Sequence, residues 1–451
     1  MKKMWILGIL PFLLPSAVPA LTINEALVHV INTNPEVRER IENYRAVEQD
    51  RGIAFSGYLP VLDVGGSIGE KRYDDVVPAY NTDKYTYSEA FIRARQNLFH
   101  GFGTQNDVEQ QDKRIISAEY YLMEKVSQLG LEMIDRYLEI LKSRKIVDLA
   151  HENHEVHKDY YSKIKQRTAS GAGTQGDMEQ ISGRLALSQS NVIIAENNLL
   201  DAKINFLRIY GYDTSVSASD LREPKVDKTL IPATLERAEE MVVEKYPSIL
   251  ASQNNVKALE AGYQQTKENY YPWVDLELKQ SYYDNDADSF TGSDLRDEVD
   301  QTTIMVIATW NLYNGGADDA LKQKAAARMF EESDRMLNVK RLSSERLQLS
   351  WAAKERLAEI RVYLKKHRDF SKKTLDAYNE EFNLGRRTLL DLLDVKNEYF
   401  SSRKAYISTY YDEILAQYRV IENVGNLPNL VSVTSDDVLK FKRYSGQELN
   451  K

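Results

Sequence analysis

The 451-residue chain contains no cysteine. Without thiols it can form neither disulfide bonds nor cysteine metal sites, and it has no cysteine that could carry an N-terminal lipid anchor. Acidic residues outnumber basic residues by 68 to 59, which gives a net charge of −9. This balance argues against a nucleic-acid partner.

Long hydrophobic runs are missing as well, because no segment after residue 20 approaches the roughly 18 apolar residues that a membrane-spanning helix needs. The first twenty residues, MKKMWILGILPFLLPSAVPA, join Lys2 and Lys3 to an apolar stretch and a small-residue end. This pattern predicts a secretory signal peptide over 1–20, cleaved before Leu21. An uncleaved anchor is the alternative, but three prolines interrupt the stretch. Cleavage would leave 57 basic and 68 acidic residues, a net charge of −11.

Proline is absent from two long stretches, 79–223 and 273–427. A proline inside a helix would cost about 3 kcal/mol or more, so these stretches invite a helical interpretation. Glycine is scarce there too: residues 104–170 contain only Gly130, and residues 317–384 contain none. The sequence predicts two helices of roughly 100 Å each at about 1.5 Å per residue. Helices of this length are typical of coiled coils and bundles.

A short motif occurs twice. Gly171-x-x-Thr174-x-x-Asp177 recurs as Gly385-x-x-Thr388-x-x-Asp391, displaced by 214 positions, the difference between 385 and 171. Each copy follows a long helix and precedes a shorter returning helix, at about 175–210 and 388–424. Glycine suits the end of the first helix, and threonine can cap the next. The spacing predicts a duplicated half, each copy a long helical hairpin with this motif at its tip.

Two strands are predicted before each long helix. Asn34-Pro35 and Tyr246-Pro247 predict helix starts, and Pro60 and Pro272 predict strand starts. Apolar residues then alternate with polar and charged ones. In the second half the predicted apolar face comprises Val274, Leu276 and Leu278, then Ile304, Val306, Ala308, Trp310 and Leu312. In the first half it comprises Leu62, Val64 and Ile68, then Ala90, Ile92, Ala94 and Leu98, opposite Arg93 and Arg95.

Four strands are too few to close a barrel with a polar interior, because the smallest membrane barrels need about eight. An oligomer would have to supply the others; the alternative is a pair of soluble hairpins buried on one side. Aromatic residues near the strand ends fit an interfacial belt, although packing explains them nearly as well. These residues are Tyr58, Tyr270, Tyr271, Trp273 and Trp310. The predicted division of the chain is a signal peptide (1–20), a first repeat (21–222), a linker (223–232), a second repeat (233–428) and a charged C-terminal tail (429–451).

The junctions Leu98-Phe99-His100-Gly101 and Leu312-Tyr313-Asn314-Gly315 resemble the strand-to-helix junctions of the TolC-type outer-membrane efflux and secretion ducts. The segment GRRTLLDLLDVKNEYFSSRKAY resembles the second periplasmic hairpin of that family. The similarity covers nearly the whole chain after residue 20, in order and in both repeats. It implies a mixed α and β fold in a homotrimer, whose twelve strands form one transmembrane β-barrel in the outer membrane. A periplasmic α-helical barrel of long coiled-coil hairpins continues this β-barrel into the periplasm. It also implies two partners, a periplasmic adaptor and an inner-membrane ABC or proton-driven pump.

The second tip carries an acidic pair, Asp391 and Asp394. On a helical wheel Leu389, Leu392 and Leu393 share one face and the two aspartates lie nearly opposite. An ordinary acidic pair of this kind is a solvated helix face. The resemblance implies instead that three chains place six carboxylates around the periplasmic mouth, as a ring that attracts cations.

The resemblance also implies a gate at this mouth. Arg387 matches the gate arginine of the family, and Asp177 matches its partner on the other hairpin. Phe382 stands where the best-known member has a gate tyrosine, and Gly176 where it has a threonine. An exposed ion pair contributes only about 0–1 kcal/mol, so such links would close the entrance weakly and let docking open it. An ordinary surface ion pair is the alternative.

The sequence gives little support for a metal site or for catalysis. The histidines of HENHEVH (His151, His154 and His157) have no fixed ligand geometry and are predicted to lie on a solvated face, so no metal site is expected. The acidic segment 284–300 is interpreted as an exposed loop between strands. No nucleophile with a base emerges, so neither enzymatic activity nor a cofactor is predicted.

The leading hypothesis is a passive export conduit for a type I secreted protein or for small toxic compounds. The missing lipid-anchor cysteine favours the protein cargo, because many drug-efflux ducts of the wider family are lipidated. The alternative is a non-transporting coiled-coil scaffold of the envelope, which explains the long helices but not the amphipathic strands.

Overall fold

The computed structural model describes residues 21–73, 83–211, 221–287 and 295–440. The predicted signal peptide, residues 288–294 of the acidic segment and residues 441–451 of the tail lie outside the described residues. The prediction of a loop over 284–300 is wrong at both ends, because residues 284–287 and 295–300 lie in strands. The helices are α1 (Ile23–Thr33), α2 (Pro35–Ser56), α3 (Gly103–Ala169), α4 (Gln175–Tyr210), α5 (Leu235–Lys245), α6 (Pro247–Gln265), α7 (Ala317–Asn383), α8 (Leu389–Asn423) and α9 (Ser435–Leu439). The strands are β1 (Val61–Tyr73), β2 (Asp83–His100), β3 (Trp273–Ala287) and β4 (Leu295–Thr309).

The predicted helices are confirmed almost residue by residue. The long helices α3 and α7 each differ from the expected bounds by no more than one residue at either end, and α4 occupies the expected range 175–210. Helices α2 and α6 begin at Pro35 and Pro247, where a missing backbone N–H costs nothing because the first turn has no acceptor for it. The described part of the chain has no helix with the length and apolar character required to cross a membrane.

The four strands form one antiparallel sheet in the order β1-β2-β3-β4. The register carries one apolar row across all four strands, with Leu62 opposite Ala94, Ala94 opposite Leu278, and Leu278 opposite Ile304. Several members of this face are more than half exposed: Leu62, Val64, Ile68, Ile92, Ile304 and Val306. The predicted amphipathic strands are therefore confirmed.

The other face of the sheet carries paired charges. Arg93 on β2 donates to Asp63 on β1 at 2.9 Å, and Lys279 on β3 donates to Glu89 on β2 at 2.8 Å. Opposite charges on neighbouring strands stabilise the pairing and keep this face polar.

The last strand ends earlier than predicted. The sequence predicts Trp310 and Leu312 on the apolar face of β4, but the strand ends at Thr309, which lies opposite Trp273. Pro272 precedes Trp273 and has no N–H with which to extend the ladder. Beyond the strand, the Asn311 side chain accepts a hydrogen bond from the Tyr313 N–H at 3.1 Å, a local turn that competes with extended structure.

The chain divides into two compact units. The first comprises Met1–Arg38, Lys125–Val242 and Ser344–Lys451, and it contains both hairpin tips. The second comprises Glu39–Glu124 and Val243–Ser343, and it contains the sheet. Each unit takes segments from both halves of the sequence.

Candidate functional site: the hairpin tips

Both hairpin tips leave their long helix through the same glycine turn. Gly171 and Gly385 have φ angles of +78° and +73°. The next N–H groups, of Ala172 and Arg386, donate to Arg167 O at 2.9 Å and Glu381 O at 2.8 Å. This arrangement closes a helix with a left-handed residue, a conformation that glycine adopts with little strain. The glycines predicted at the tips thus have a defined structural role.

Each tip threonine caps the returning helix. The Thr174 hydroxyl accepts from the Asp177 N–H at 3.1 Å, and the Thr388 hydroxyl accepts from the Asp391 N–H at 3.2 Å. At the second tip the Asp391 carboxylate also accepts from the Thr388 N–H, which completes a reciprocal capping box. The aspartate three residues after the threonine therefore takes part in capping the returning helix, which gives the repeated motif the same structural role at both tips.

An apolar cluster behind the tips joins the two hairpins. Leu389, Leu392 and Leu393 on α8 are 4%, 0% and 1% exposed, which confirms the predicted leucine face. They share this cluster with residues of the other three helices: Tyr160 and Ile164 on α3, Ile181 on α4, and Leu375 on α7. Four helices of one chain thus bury a common core next to the tips.

The acidic pair of the second tip is solvent-facing, but each carboxylate has a partner. Asp391 accepts from the hydroxyl of Thr388 at 2.8 Å and from its N–H, and these hydrogen bonds lower the pKa of Asp391. Asp394 pairs with Arg184 on α4, with Nη2 3.1 Å from Oδ1. Sequence reasoning missed Arg184, because nothing in the local pattern of α4 indicates which residue on α8 it will meet.

Within the described part of one chain, Arg387 and Asp177 contact other residues. The Arg387 Nε donates to Glu381 Oε2 at 2.6 Å, and this hydrogen bond raises the pKa of Arg387. Its guanidinium carbon lies 4.2 Å from the centre of the Tyr378 ring. The Asp177 carboxylate accepts from the Thr174 hydroxyl at 2.8 Å. An Arg387–Asp177 gate link therefore remains a prediction.

The two departures from the family pattern lie at different places in the tips. Phe382 packs against the apolar cluster, and the guanidinium carbon of Arg167 lies 5.6 Å from its ring centre. A cation above an aromatic face is attracted by the ring quadrupole, so this contact links α3 to α7. Gly176 is the second residue of α4 and is exposed.

Further polar contacts connect the two hairpins above the tips. The Tyr160 hydroxyl on α3 donates to Asn379 Oδ1 on α7 at 2.7 Å. Arg403 on α8 donates to Glu152 on α3, also at 2.7 Å. These partners are more than 200 residues apart in the sequence, and no local spacing predicts them.

The histidine segment only partly follows its prediction. His151 is exposed and pairs with Glu196 at 3.2 Å, as expected of a solvated face. The prediction is wrong for His157, which is 6% exposed and donates from Nδ1 to the Asn153 carbonyl oxygen at 2.8 Å. Burial lowers the pKa of His157. Within the described ranges, no group of three or more histidines and carboxylates could hold a metal ion.

A buried lysine lies near His157. Lys396 on α8 is 7% exposed, and burial lowers its pKa, while Glu152 opposes that shift. The pKa of His157 is lowered further by the charges of Lys396 and of Arg184 on α4. The helix packing therefore buries both His157 and Lys396 and disfavours the protonated form of each.

Comparisons with known proteins agree with this architecture. The family model described as outer membrane efflux protein matches residues 26–212 and 240–426, two spans that are again 214 positions apart, the difference between 240 and 26. The chain is 22% identical over 433 residues to the outer membrane efflux protein BepC of Brucella suis biovar 1 (strain 1330), covering 95% of this chain and 89% of that protein. It is 20% identical over 407 residues to the outer membrane protein TolC of Escherichia coli (strain K12), covering 88% and 80%.

The fold is similar to that of solved channels. The crystal structure of the Campylobacter jejuni CmeC outer membrane channel superimposes with a TM-score of 0.78 at 12% identity, covering 94% of this chain and 90% of that one. The mixed α and β fold with two internal repeats is thereby confirmed. Because the family model matches most of the chain, once in each repeat, the chain belongs to the outer membrane efflux protein family.

Proposed function

We propose that this chain forms a homotrimeric exit duct in the outer membrane, the last component of a tripartite export machine. The observation that carries the proposal is the open amphipathic sheet, in a chain of this family. Within the described residues, β1 and β4 each pair on one side only, which leaves two sheet edges to be covered. Three copies joined edge to edge would close a barrel of twelve strands.

The two faces of the sheet suit such a barrel. The exposed apolar face, with Val64 at 82% and Ile304 and Val306 at 66% each, has the composition of a lipid-facing surface. The opposite face, with the Asp63–Arg93 and Glu89–Lys279 pairs, has the polarity of an aqueous lumen. Exposed aromatics near the strand ends (Tyr58, Tyr270, Tyr271, Trp273 and Trp310) fit the membrane–water boundary.

The hairpin tips would form the periplasmic entrance of the duct. In a trimer, Asp391 and Asp394 of three chains supply six carboxylates, the arrangement that attracts cations. Arg387 and Asp177 of neighbouring chains would close this entrance, and Phe382 would occupy the tyrosine position of the gate. A periplasmic adaptor would dock at the tips around Gly171, Thr174, Gly385 and Thr388, and an ABC or proton-driven pump would drive export.

Two classes of cargo are proposed for the duct. The description of the family and the name of the Brucella relative both contain the word efflux. Small toxic compounds are one candidate. A type I secreted protein is the other candidate. In either case the chain would act by passive conduction without catalysis, in keeping with the channel and efflux names of its relatives.

The experiment is a measurement of oligomeric state and conductance on the purified full chain. We expect a trimer by light scattering in mild detergent, and discrete channels in planar lipid bilayers. A double variant, Ile304→Asp with Val306→Asp, places charges on the proposed lipid face and should abolish channel insertion. A wild-type monomer without conductance would contradict the proposal and favour the envelope scaffold.

A further inference from the structure

We propose that Arg184 sets the cation affinity of the periplasmic entrance. Its ion pair neutralises Asp394 while the two hairpins of a chain are packed together, and releases that carboxylate when they separate. The inference rests on the proposed function, in which the tips of three chains surround the entrance. It concerns a residue outside the repeated motif and outside the gate positions implied by family resemblance.

The position of Arg184 is fixed by the fold of its own hairpin. Ile181, one turn earlier on α4, is fully buried in the apolar cluster that the four helices share. Residues three apart lie on the same helix face, so Arg184 is directed toward the second hairpin. Its side chain is 31% exposed, and its Nη2 reaches the Asp394 carboxylate at 3.1 Å.

The two aspartates differ in where their partners lie. Asp391 is hydrogen-bonded to Thr388 at the start of the same helix, and the cation that acts on its charge, Arg387, belongs to the same hairpin, so the electrostatic surroundings of Asp391 move with α8. Asp394 is held by a cation on the other hairpin, so its negative charge is compensated only while α4 and α8 remain side by side. In a trimer, the three Asp391 carboxylates would thus face the entrance in both arrangements, and the three Asp394 carboxylates would add their charge only when the hairpins are separated.

The Arg184–Asp394 pair alters the charge at the entrance and contributes little to holding the hairpins together. Asp394 is 59% exposed, and exposed ion pairs contribute little to stability. The hairpins are also joined by the apolar cluster, by the Tyr160–Asn379 hydrogen bond and by the Glu152–Arg403 pair. Removing the Arg184 guanidinium therefore leaves the packing in place and exposes the Asp394 charge.

The test is cation block of single channels formed by the full chain in planar bilayers. La³⁺ is added on the side of the hairpin tips to wild type and to Arg184→Gln, and the half-blocking concentration is measured. We expect this concentration to fall about threefold to tenfold in Arg184→Gln, because three more carboxylates face the trivalent ion. Raising the salt from 0.1 M to 1 M should shrink the difference, since the Debye length falls from about 10 Å to about 3 Å.

Arg208→Gln is the matched control. Arg208 lies on the same helix and pairs with Glu132 on α3, within its own hairpin. Its loss should leave the half-blocking concentration unchanged. The exchange Arg184→Asp with Asp394→Arg restores an ion pair at the same place and should return the block to within about twofold of wild type.

The possible outcomes separate the two proposals. If Arg184→Gln blocks like wild type while Asp391→Asn with Asp394→Asn weakens the block, the acidic entrance stands and the role of Arg184 is overturned. An equal change in Arg184→Gln and Arg208→Gln would also overturn it, because it would reflect net charge alone. If the wild-type chain forms no channels, the proposed function fails, and this inference fails with it.

Discussion

At the scale of single residues, the helix packing near the tips buries two bases, and one of them, His157, is predicted from the sequence to lie on a solvated face. Lys396 and His157 are each less than a tenth exposed, although both lie in charged segments. Sequence periodicity cannot assign them, because each helix here contacts more than one neighbour and its buried face is correspondingly broad. Burial lowers the pKa of each below its ordinary value because it desolvates the protonated form.

His157 makes stability depend on pH in a definite direction. Because its pKa in the folded chain is lowered, the unfolded chain binds the proton more strongly below the ordinary value of about 6.5. Stability is therefore lost as the pH falls below that value. His157→Gln should flatten the decline in melting temperature between pH 7 and pH 5, measured by circular dichroism. The control His367→Gln alters an exposed histidine paired with Glu398 and should not flatten the decline.

Substitution of Lys396 tests whether burying its charge lowers the stability of the folded chain. Lys396→Met keeps the apolar stem and removes the ammonium group, and it should stabilise the chain by about 1 kcal/mol in denaturant unfolding. Glu152 would not be left alone, since it keeps its ion pair with Arg403. A destabilisation of similar size would instead indicate that the Glu152 carboxylate requires both Lys396 and Arg403 as partners.

At the scale of helices and strands, local signals are sufficient where one residue type determines a boundary. Prolines mark the starts of α2 and α6, and the tip glycines and threonines mark the ends and starts of the hairpin helices. The predicted end of β4 is wrong because the alternation of apolar residues continues past it. The strand stops where its partner begins, after Pro272, and this depends on pairing that the sequence of β4 does not contain.

The tip glycines allow a clean test of backbone strain. Gly385 has φ +73°, and an added Cβ there would meet no other atom within 4 Å. Gly385→Ala should therefore destabilise the chain only through the left-handed conformation, by about 1–2 kcal/mol, and Gly171→Ala should behave alike. Gly183 lies inside α4 with the same free space but without a positive φ, so Gly183→Ala should instead stabilise the chain, by about 1 kcal/mol. Denaturant unfolding monitored at 222 nm measures all three, and equal effects would rule out this explanation.

At the scale of the whole molecule, the duplication by 214 positions is the most informative feature of the sequence. Residue spacing identifies the two tips and their caps, whereas the role of the acidic pair is implied only by the family resemblance. It cannot identify Arg184 as the partner of Asp394, or Glu381 as the partner of Arg387, because side-chain partners depend on how helices pack rather than on repeated spacing.

Arg387 offers the sharpest test of a contact between chains. If it reaches Asp177 of a neighbouring chain in the closed entrance, then Arg387→Ala should raise channel conductance, and Asp177→Asn should do the same while keeping an acceptor for Thr174. Glu381→Gln keeps an oxygen acceptor but removes the negative charge that holds Arg387 within the chain, so it should favour the link to the neighbouring chain and lower conductance. Opposite signs are expected because Glu381 and Asp177 would compete for one guanidinium. Single-channel recordings of the three variants at equal salt provide the measurement. A rise in conductance for both Arg387→Ala and Glu381→Gln, with Asp177→Asn like wild type, would assign closure to the Arg387–Glu381 pair and exclude the link between chains.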